Sequence, residues 1–245
     1  YYAFFSDFDD QSSNPDNFYV PPITDPIFDP GGINSGVFDV DTKVYDGGIV
    51  QDTISTDIPD SWKNNQVGAF ANIDELSIGT SCTSIGTYSF FKSNIDQQLF
   101  IPPTVTGIGK LAFRECNGIT GDLFIPPSVV EIGEQSFYKA YGLTDGNIFI
   151  SDDSLKEPVT TIGSLAFYQL GNFVGNLIIG AGVKTIGNRA FERVGRNIAE
   201  TAGRLEVGSC TETIGDGSFT LSKFTGPLII EDSVISIGNT AFGSC

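Results

Sequence analysis

A short unit recurs seven times in the last 170 residues of this chain, and it constrains the fold more than any other feature of the sequence. Each copy carries Leu-x-Ile, then a valine or its substitute, then Ile-Gly-x-x-Ala/Ser-Phe. A unit of this size cannot bury a hydrophobic core alone, so consecutive copies must stack into a solenoid. The copies occupy residues 76–90, 99–113, 123–137, 148–167, 177–191, 205–219 and 228–242.

The first half of the unit predicts two short extended segments. Side chains alternate along a strand, so Leu99 and Ile101 face the core while Phe100 faces outward. The valine position and Ile108 form a second extended segment on the next side of the coil. The expected fold class is therefore mostly β, a repeat solenoid with short helical turns.

The second half of the unit predicts a turn followed by a large core residue. The glycine, which is Gly109 in the second copy, indicates either a positive φ or a close approach of two backbones. The residues after it suit one helical turn, which delivers Phe113 to the core. Residues 152–158 and the stretch 191–205 lengthen single copies without changing this spacing, which predicts surface loops.

Composition divides the chain into three regions. Residues 1–53 are acidic and rich in Pro, Gly and Phe without a steady period, which predicts irregular chain lying against another surface. Residues 54–75 resemble a degenerate repeat that caps the stack, with Ile58 aligned to Leu-x-Ile and Trp62 closing the core. Residues 76–245 form the solenoid. Because the chain lacks methionine and stops within a repeat, we expect a longer protein that continues beyond residue 245.

The net charge of −17 is unevenly distributed. Residues 1–75 hold fourteen Asp and Glu against two Lys, whereas residues 76–245 hold sixteen against eleven Lys and Arg. Phosphate would repel a protein of this sign, which argues against nucleic acid as a partner. No run of eighteen or more apolar residues occurs, so membrane insertion is not expected.

Cysteine and histidine usage limits the chemistry. The chain has no histidine, which excludes catalytic triads and zinc sites built on this residue within it. Cys82 takes a valine position, and Cys116 and Cys245 each follow the repeat phenylalanine by three residues, so buried free thiols are favoured over disulfides. Cys210 lies one residue before the valine position and is not assigned.

Neither a cofactor nor a metal is predicted. Asp39, Asp41 and Asp46 precede Gly47, but their spacing does not fit the twelve-residue calcium loop of an EF-hand. A solvated acidic surface is the expected role of these residues.

The full pattern is Leu-x-Ile-Pro-x-Ser/Thr-Val-x-x-Ile-Gly-x-x-Ala/Ser-Phe-x-x-Cys, and it is clearest over residues 99–116 and 123–140. It resembles the BspA-type, or Treponema-type, leucine-rich repeat, although five copies lack the motif proline. The resemblance implies a leucine-rich-repeat solenoid of the kind found in extracellular adhesins and surface-display modules. The Thr-Gly-x-Leu junctions at 120–123 and 225–228 are similar to those of bacteriophage structural proteins. The family supplies no catalytic residues.

The variable position inside Leu-x-Ile is the main candidate for binding. If the strands stack in register about 4.8 Å apart, the outward residues of successive copies form one row. An apolar row of this kind marks a contact surface, unless the phenylalanine-rich N-terminal segment or a neighbouring subunit covers it. The candidate binding residues are Phe100, Phe124, Phe149 and Ile178 and, in the longer loop, Asp152 and Asp153.

These features favour a non-catalytic recognition or adhesion module, extracellular, on a virion tail or fibre or on a bacterial cell surface. Its partners would be other structural proteins, host or cell-surface proteins, or glycans, and a homo-oligomer remains open. The alternative is an architectural subunit whose repeat face is buried against other structural proteins. A glycoside hydrolase is third, because that reaction needs only two carboxylates.

Overall fold

The computed structural model of this chain shows a stack of coils, each formed by one repeat. It describes residues 37–39, 44–45, 49–50, 57–58, 72–73, 75–78, 82–150, 161–197 and 203–245. A coil has a first strand at Leu-x-Ile, a second strand ending just before the glycine, a turn segment, and a short third segment leading to the next coil. Equivalent strands of neighbouring coils lie side by side and pair in parallel.

The second strands form an eight-stranded parallel sheet in the described part of the chain. Their isoleucines pair in register from coil to coil, as Ile132 does with Ile108 and with Ile162. From Ile85 to Ile214 these isoleucines are buried, because alternate residues of a strand face the core, whereas Ile237 in the last coil is 50% exposed. The strands are Asp57–Ile58, Ser84–Ile85, Gly107–Ile108, Glu131–Ile132, Thr161–Ile162, Thr185–Ile186, Thr213–Ile214 and Ser236–Ile237.

The first strands form a second parallel sheet on the adjacent side of the stack. Its four members are Leu123–Ile125, Ile148–Ile150, Leu177–Ile179 and Leu205–Glu206. Leu123 and Ile125 are fully buried, which confirms the inward orientation predicted for both apolar residues of Leu-x-Ile.

Further toward the N-terminus, the side chain of Gln97 forms hydrogen bonds to the strand Glu75–Ser77. The Leu76 N–H donates to Gln97 Oε1 (3.0 Å), and Gln97 Nε2 donates to the Leu76 carbonyl (2.7 Å).

An additional coil begins at residue 37, well before residue 54. The strand Val37–Asp39 pairs in parallel with Glu75–Ser77 and so takes the first-strand position. Ile58 pairs with Ile85 in the second-strand sheet, and the third-segment strand Asn72–Ile73 pairs with Asn94–Ile95. The prediction that aligned Ile58 with Leu-x-Ile is therefore wrong. Ile58 lies in the second strand of this coil, and the first strand lies nearly twenty residues upstream.

A short hairpin lengthens this additional coil. Val44–Tyr45 pairs antiparallel with Val37–Asp39 and with Ile49–Val50. Irregular chain was predicted up to residue 53, and that expectation does not hold for these three strands, since backbone pairing orders them without a repeat pattern. Trp62 and the stretch 67–70 lie outside the described residues.

The segment after each glycine is a series of turns, and no helix occurs in the described residues. The Phe91 N–H donates to the Tyr88 carbonyl (3.2 Å). The Ser93 N–H then donates to the Phe90 carbonyl (3.0 Å). Such bonds between residues three apart define consecutive β-turns. The prediction of a single helical turn at this place is therefore wrong.

Left-handed residues explain why a helix cannot form there. The second and sixth residues after each repeat glycine have positive φ, as at Gln135 (58°) and Lys139 (55°). This conformation costs a non-glycine residue about 1–2 kcal/mol and interrupts a right-handed helix. Hydrogen bonds between coils hold it in place, since the N–H of Lys92 donates to the Arg114 carbonyl of the next coil (2.8 Å).

The repeat glycine permits a close approach of two backbones. Gly133 has no positive φ, but a Cβ atom added to it would lie 2.6 Å from the carbonyl carbon of Gly109 and 2.6 Å from the nitrogen of Lys110. Real Cβ atoms do not come so close to a backbone. Of the two interpretations that the sequence left open, close approach is the correct one for this glycine.

A column of phenylalanines fills the centre of the stack, as predicted. Neighbouring rings are nearly parallel, with centroids 5.1–5.3 Å apart and interplanar angles of 2–12°. The first six rings are fully buried, and the last is partly buried. The column consists of Phe90, Phe113, Phe137, Phe167, Phe191, Phe219 and Phe242.

Candidate binding surface

The outward residues of the first strands lie in the row that the sequence predicted. Phe124 lies opposite Phe149, and Phe149 opposite Ile178, on neighbouring parallel strands. The next strand continues the row with Glu206, where its apolar part ends. Parallel strands are about 4.8 Å apart, so these side chains are within reach of one another. Their role in binding stays a prediction.

Exposure changes along this row. Phe100, one coil before Phe124, is 39% exposed, and Phe124 and Phe149 are half-buried. Ile178 is 8% exposed, because its shorter side chain lies between those of Phe149 and Glu206. Ile178 therefore offers little surface to a partner in this structure, and its role in binding stays a prediction. The three phenylalanines are called the first-strand row below.

Polar side chains border this row at the residue before each first strand. Asp122 Oδ1 accepts from the Asn147 N–H (2.6 Å) and from Asn147 Nδ2 (3.1 Å). Asn147 Oδ1 accepts from the same two groups of Asn176, at 2.9 and 3.0 Å. Asn176 Oδ1 accepts from the Arg204 N–H (2.8 Å). This ladder holds the first strands in register and so fixes the spacing of the row.

The two acidic candidates, Asp152 and Asp153, lie outside the described residues. Their loop connects Ile150, at the end of a first strand, to Thr161, at the start of the following second strand. The loop therefore starts two residues after Phe149. A contribution of both aspartates to binding stays a prediction.

All four cysteines are free thiols, as favoured from the sequence. Cys82 and Cys116 are buried, and Cys116 Sγ donates to the Phe90 carbonyl (2.8 Å). Burial raises the pKa of the Cys116 thiol, which disfavours the reactive thiolate. Cys245 was expected in the core but is exposed at the edge of the described stack, and Cys210 is exposed as well.

A second surface feature, on the turn segments, was missed by the sequence reasoning. The fifth residue after the repeat glycine is tyrosine in two adjacent coils, and the rings of Tyr138 and Tyr168 stack at 4.9 Å and 14°. Arg114 lies over the Tyr138 ring at 4.4 Å, and Arg189 lies over the Tyr168 ring at 5.3 Å. A cation over an aromatic face contributes about 0.5–1 kcal/mol at an exposed site.

Ion pairs order the same surface. Glu192, which is 5% exposed, pairs with Arg189 and with Arg193, the latter at 3.3 Å. The hydrogen bond from Arg189 to Glu192 raises the pKa of Arg189. Lys110 bonds to Glu134 at 2.7 Å and lowers the pKa of that carboxyl. The signal in the sequence is the tyrosine that Tyr138 and Tyr168 share at the fifth position after the repeat glycine.

These surfaces offer stacked rings, bordering amides and paired charges, which suit recognition by shape and charge. The chain has no histidine for acid–base chemistry. Within the described ranges, no three Cys, Asp or Glu side chains are grouped so as to hold a metal ion. The same ranges contain no helix that is long and apolar enough to cross a bilayer.

The parallel sheets, the glycine approach and the stacked phenylalanines define a leucine-rich-repeat solenoid, a class that is typically non-catalytic and generally mediates contacts between proteins. The pattern of the BspA type leucine rich repeat region matches this chain in six copies, over residues 64–198 and 212–245. The chain therefore belongs to the BspA-type leucine-rich-repeat family, whose repeats serve protein binding or adhesion and are typically surface-associated. Neither the curated proteins nor the solved structures contain a significant match.

Proposed function

We propose that the chain is a non-catalytic recognition module that binds a protein or a glycan through the first-strand row. The main support is the register of Phe124 and Phe149 on neighbouring strands, next to the 39% exposed Phe100. Contiguous apolar side chains at a surface mark interaction sites, and aromatic residues are enriched at the centres of interfaces. The ladder of Asp122, Asn147 and Asn176 keeps the row rigid, which lowers the entropic cost of binding.

The proposed location is outside the cell, on a virion tail or fibre or on a bacterial surface. Family membership supports a surface location, and the Thr-Gly-x-Leu junctions at 120–123 and 225–228 support the bacteriophage variant. An architectural subunit is the second candidate, because the same apolar row would suit a permanent contact with other structural proteins.

The test compares two substitutions in the full chain. Phe124→Asp places a charge in the first-strand row, while Thr185→Asp places one on the second-strand sheet, opposite Thr161 and Thr213. Fluorescently labelled protein is applied to arrays of immobilised cell-surface glycoproteins and glycans. Light scattering gives the oligomeric mass, and thermal unfolding confirms that both variants are folded.

We expect Phe124→Asp to weaken binding about tenfold or more at unchanged mass, as loss of a central aromatic contact does. Thr185→Asp should bind like the parent chain. Binding by Phe124→Asp at the parent level would overturn the proposal, and a loss of oligomeric mass would identify the architectural subunit instead. Cleavage of an arrayed glycan that disappears on changing Asp152→Asn would contradict the non-catalytic part.

A further inference from the structure

The turn segments carry a positive surface on a strongly negative protein. Six of the eleven Lys and Arg from residue 76 onward lie at the first, second, fifth or sixth position after a repeat glycine, where only four acidic residues lie. The chain as a whole has a net charge of −17. We call part of this surface the cationic aromatic row, which consists of Phe91, Lys92, Arg114, Tyr138, Lys139, Tyr168, Arg189 and Arg193.

Rings and cations alternate along this row over five coils. Arg114 lies between two rings, 5.9 Å from that of Phe91 and 4.4 Å from that of Tyr138. Lys139 lies 5.3 Å from the Tyr138 ring and forms no ion pair with a carboxylate of the described residues. Arg193 lies 5.8 Å from the Tyr168 ring. A segment that carries both carboxylates and aromatic rings would complement this row in both respects.

The first 36 residues of the same chain have this composition. They contain six aspartates, no lysine or arginine, and eight phenylalanines and tyrosines. No other stretch of this length in the chain combines so many aromatic residues with uncompensated negative charge. These residues lie outside the described part of the structure.

The point at which residues 1–36 join the described structure is one short segment away from the turn segments. In the complete coils the turn segment leads through the short third segment into the first strand, which starts seven residues after Lys92 and nine after Lys139. Val37 starts a first strand that pairs with Glu75–Ser77, so this strand starts at the corresponding corner of the stack, where third segments end. Asp29 precedes Val37 by eight residues. The remaining residues can reach about 90 Å when extended, whereas five coils span about 20 Å.

We propose that residues 1–36 bind the cationic aromatic row of their own chain, with their aspartates on its arginines and lysines and their rings beside Phe91 and Tyr138, which are half-buried, whereas Tyr168 is 8% exposed. The contact lies on the turn segments and does not involve the first-strand row, so it does not depend on the proposed function. It gives the acidic segment a docking site on an otherwise acidic molecule. Attraction between exposed charges weakens with added salt, so the contact should also weaken.

Zero-length carbodiimide cross-linking of the full chain tests the contact, because it joins carboxylates to lysines that touch them. Lys139 lies on the row and is partly buried, while Lys184 is a more exposed lysine beside the second-strand sheet. We expect cross-links from residues 1–36 to favour Lys139 over Lys184 at low salt and to decline at high salt. Equal yields at both lysines would overturn the proposal, because exposure alone favours Lys184.

Two charge reversals provide the matched comparison. Arg114→Glu changes the row, whereas Arg204→Glu makes the same charge change next to the first strands, where Arg204 pairs with Glu206. We expect Arg114→Glu to lower the Lys139 cross-link yield several-fold and Arg204→Glu to leave it unchanged. Equal effects of the two reversals would contradict the contact. A mixture of isotope-labelled and unlabelled chains tests its intrachain nature, and cross-links found mainly between the two species would overturn it.

Discussion

Two lines of phenylalanines run along this molecule, one inside the stack and one on its surface, and they differ in regularity. Inside, seven rings continue without interruption at 5.1–5.3 Å. On the surface, the row lasts from Phe100 to Phe149 and then changes to Ile178 and Glu206. Position within the coil, more than residue type, therefore decides what a phenylalanine does. The inner column is required for stacking, whereas the outer row can vary and so can carry specificity.

Truncating one ring of each line to alanine gives the largest expected difference in the free energy of unfolding. Phe137→Ala removes a fully buried ring between Phe113 and Phe167 and should lower the free energy of unfolding by about 3–5 kcal/mol, through lost burial and a cavity. Phe124→Ala removes a half-buried ring and should cost about 1 kcal/mol or less. Urea denaturation measures both values. Similar losses would show that the surface row also holds the stack together.

The same comparison can be made for the backbone with two glycines two residues apart in the repeat. Gly133→Ala should cost about 1–3 kcal/mol, because its Cβ would meet the backbone of Gly109 and Lys110 at 2.6 Å. Gly107→Ala should be neutral or stabilise by up to about 1 kcal/mol, since no atom lies within 4 Å of its added Cβ. Chemical denaturation of the two variants distinguishes them. Tolerance of alanine at both positions would contradict a sterically closed glycine column.

A third pair of substitutions tests the turn segments and has the smallest expected effect. Gln169 has a φ of 63°, so Gln169→Gly should relieve strain and raise the free energy of unfolding by about 0.5–1 kcal/mol. Asn172→Gly, three residues later and without a positive φ, should lower it by about 0.5 kcal/mol through chain entropy. Precise thermal unfolding is the measurement. A loss of stability in both variants would show that the left-handed turns carry little strain.

The sequence predicted those parts of the fold that repeat with the same residue type. The Leu-x-Ile alternation, the isoleucines that precede the glycine and the phenylalanine column each recur at fixed positions, so their roles could be predicted. Their burial is confirmed through the copy at 177–191, whereas Leu228, Ile230 and Ile237 of the last copy are exposed. The left-handed residues could not be predicted from the sequence. Glycine is the residue that usually indicates a positive φ, but this position holds Tyr88, Leu111 and Gln135. Hydrogen bonds from the neighbouring coil override the local preference at these positions.

The additional coil and the cationic aromatic row escaped prediction for a different reason. Val37–Asp39 has no Leu-x-Ile pattern, and a hairpin separates it from Ile58, so only the pairing with Glu75–Ser77 reveals its place. Arg114 and Tyr138 share the fifth position after the repeat glycine, but the residue type at that position changes from copy to copy and so forms no recognisable motif. The first-strand row was predictable because its members share one position in a recognisable motif.

The left-handed turn residues also bear on how an array of this kind can lengthen during evolution. Each coil contains two of these residues, and bonds such as that from the Lys92 N–H to the Arg114 carbonyl hold them in place. A duplicated coil inserted between two others finds acceptors on the following coil and offers its own carbonyls to the preceding one. A coil added at an open end forms these hydrogen bonds with one neighbouring coil only. Internal duplication therefore yields a folded product more readily than terminal addition, and the number of repeats can change in the middle of the stack while both ends keep their sequence.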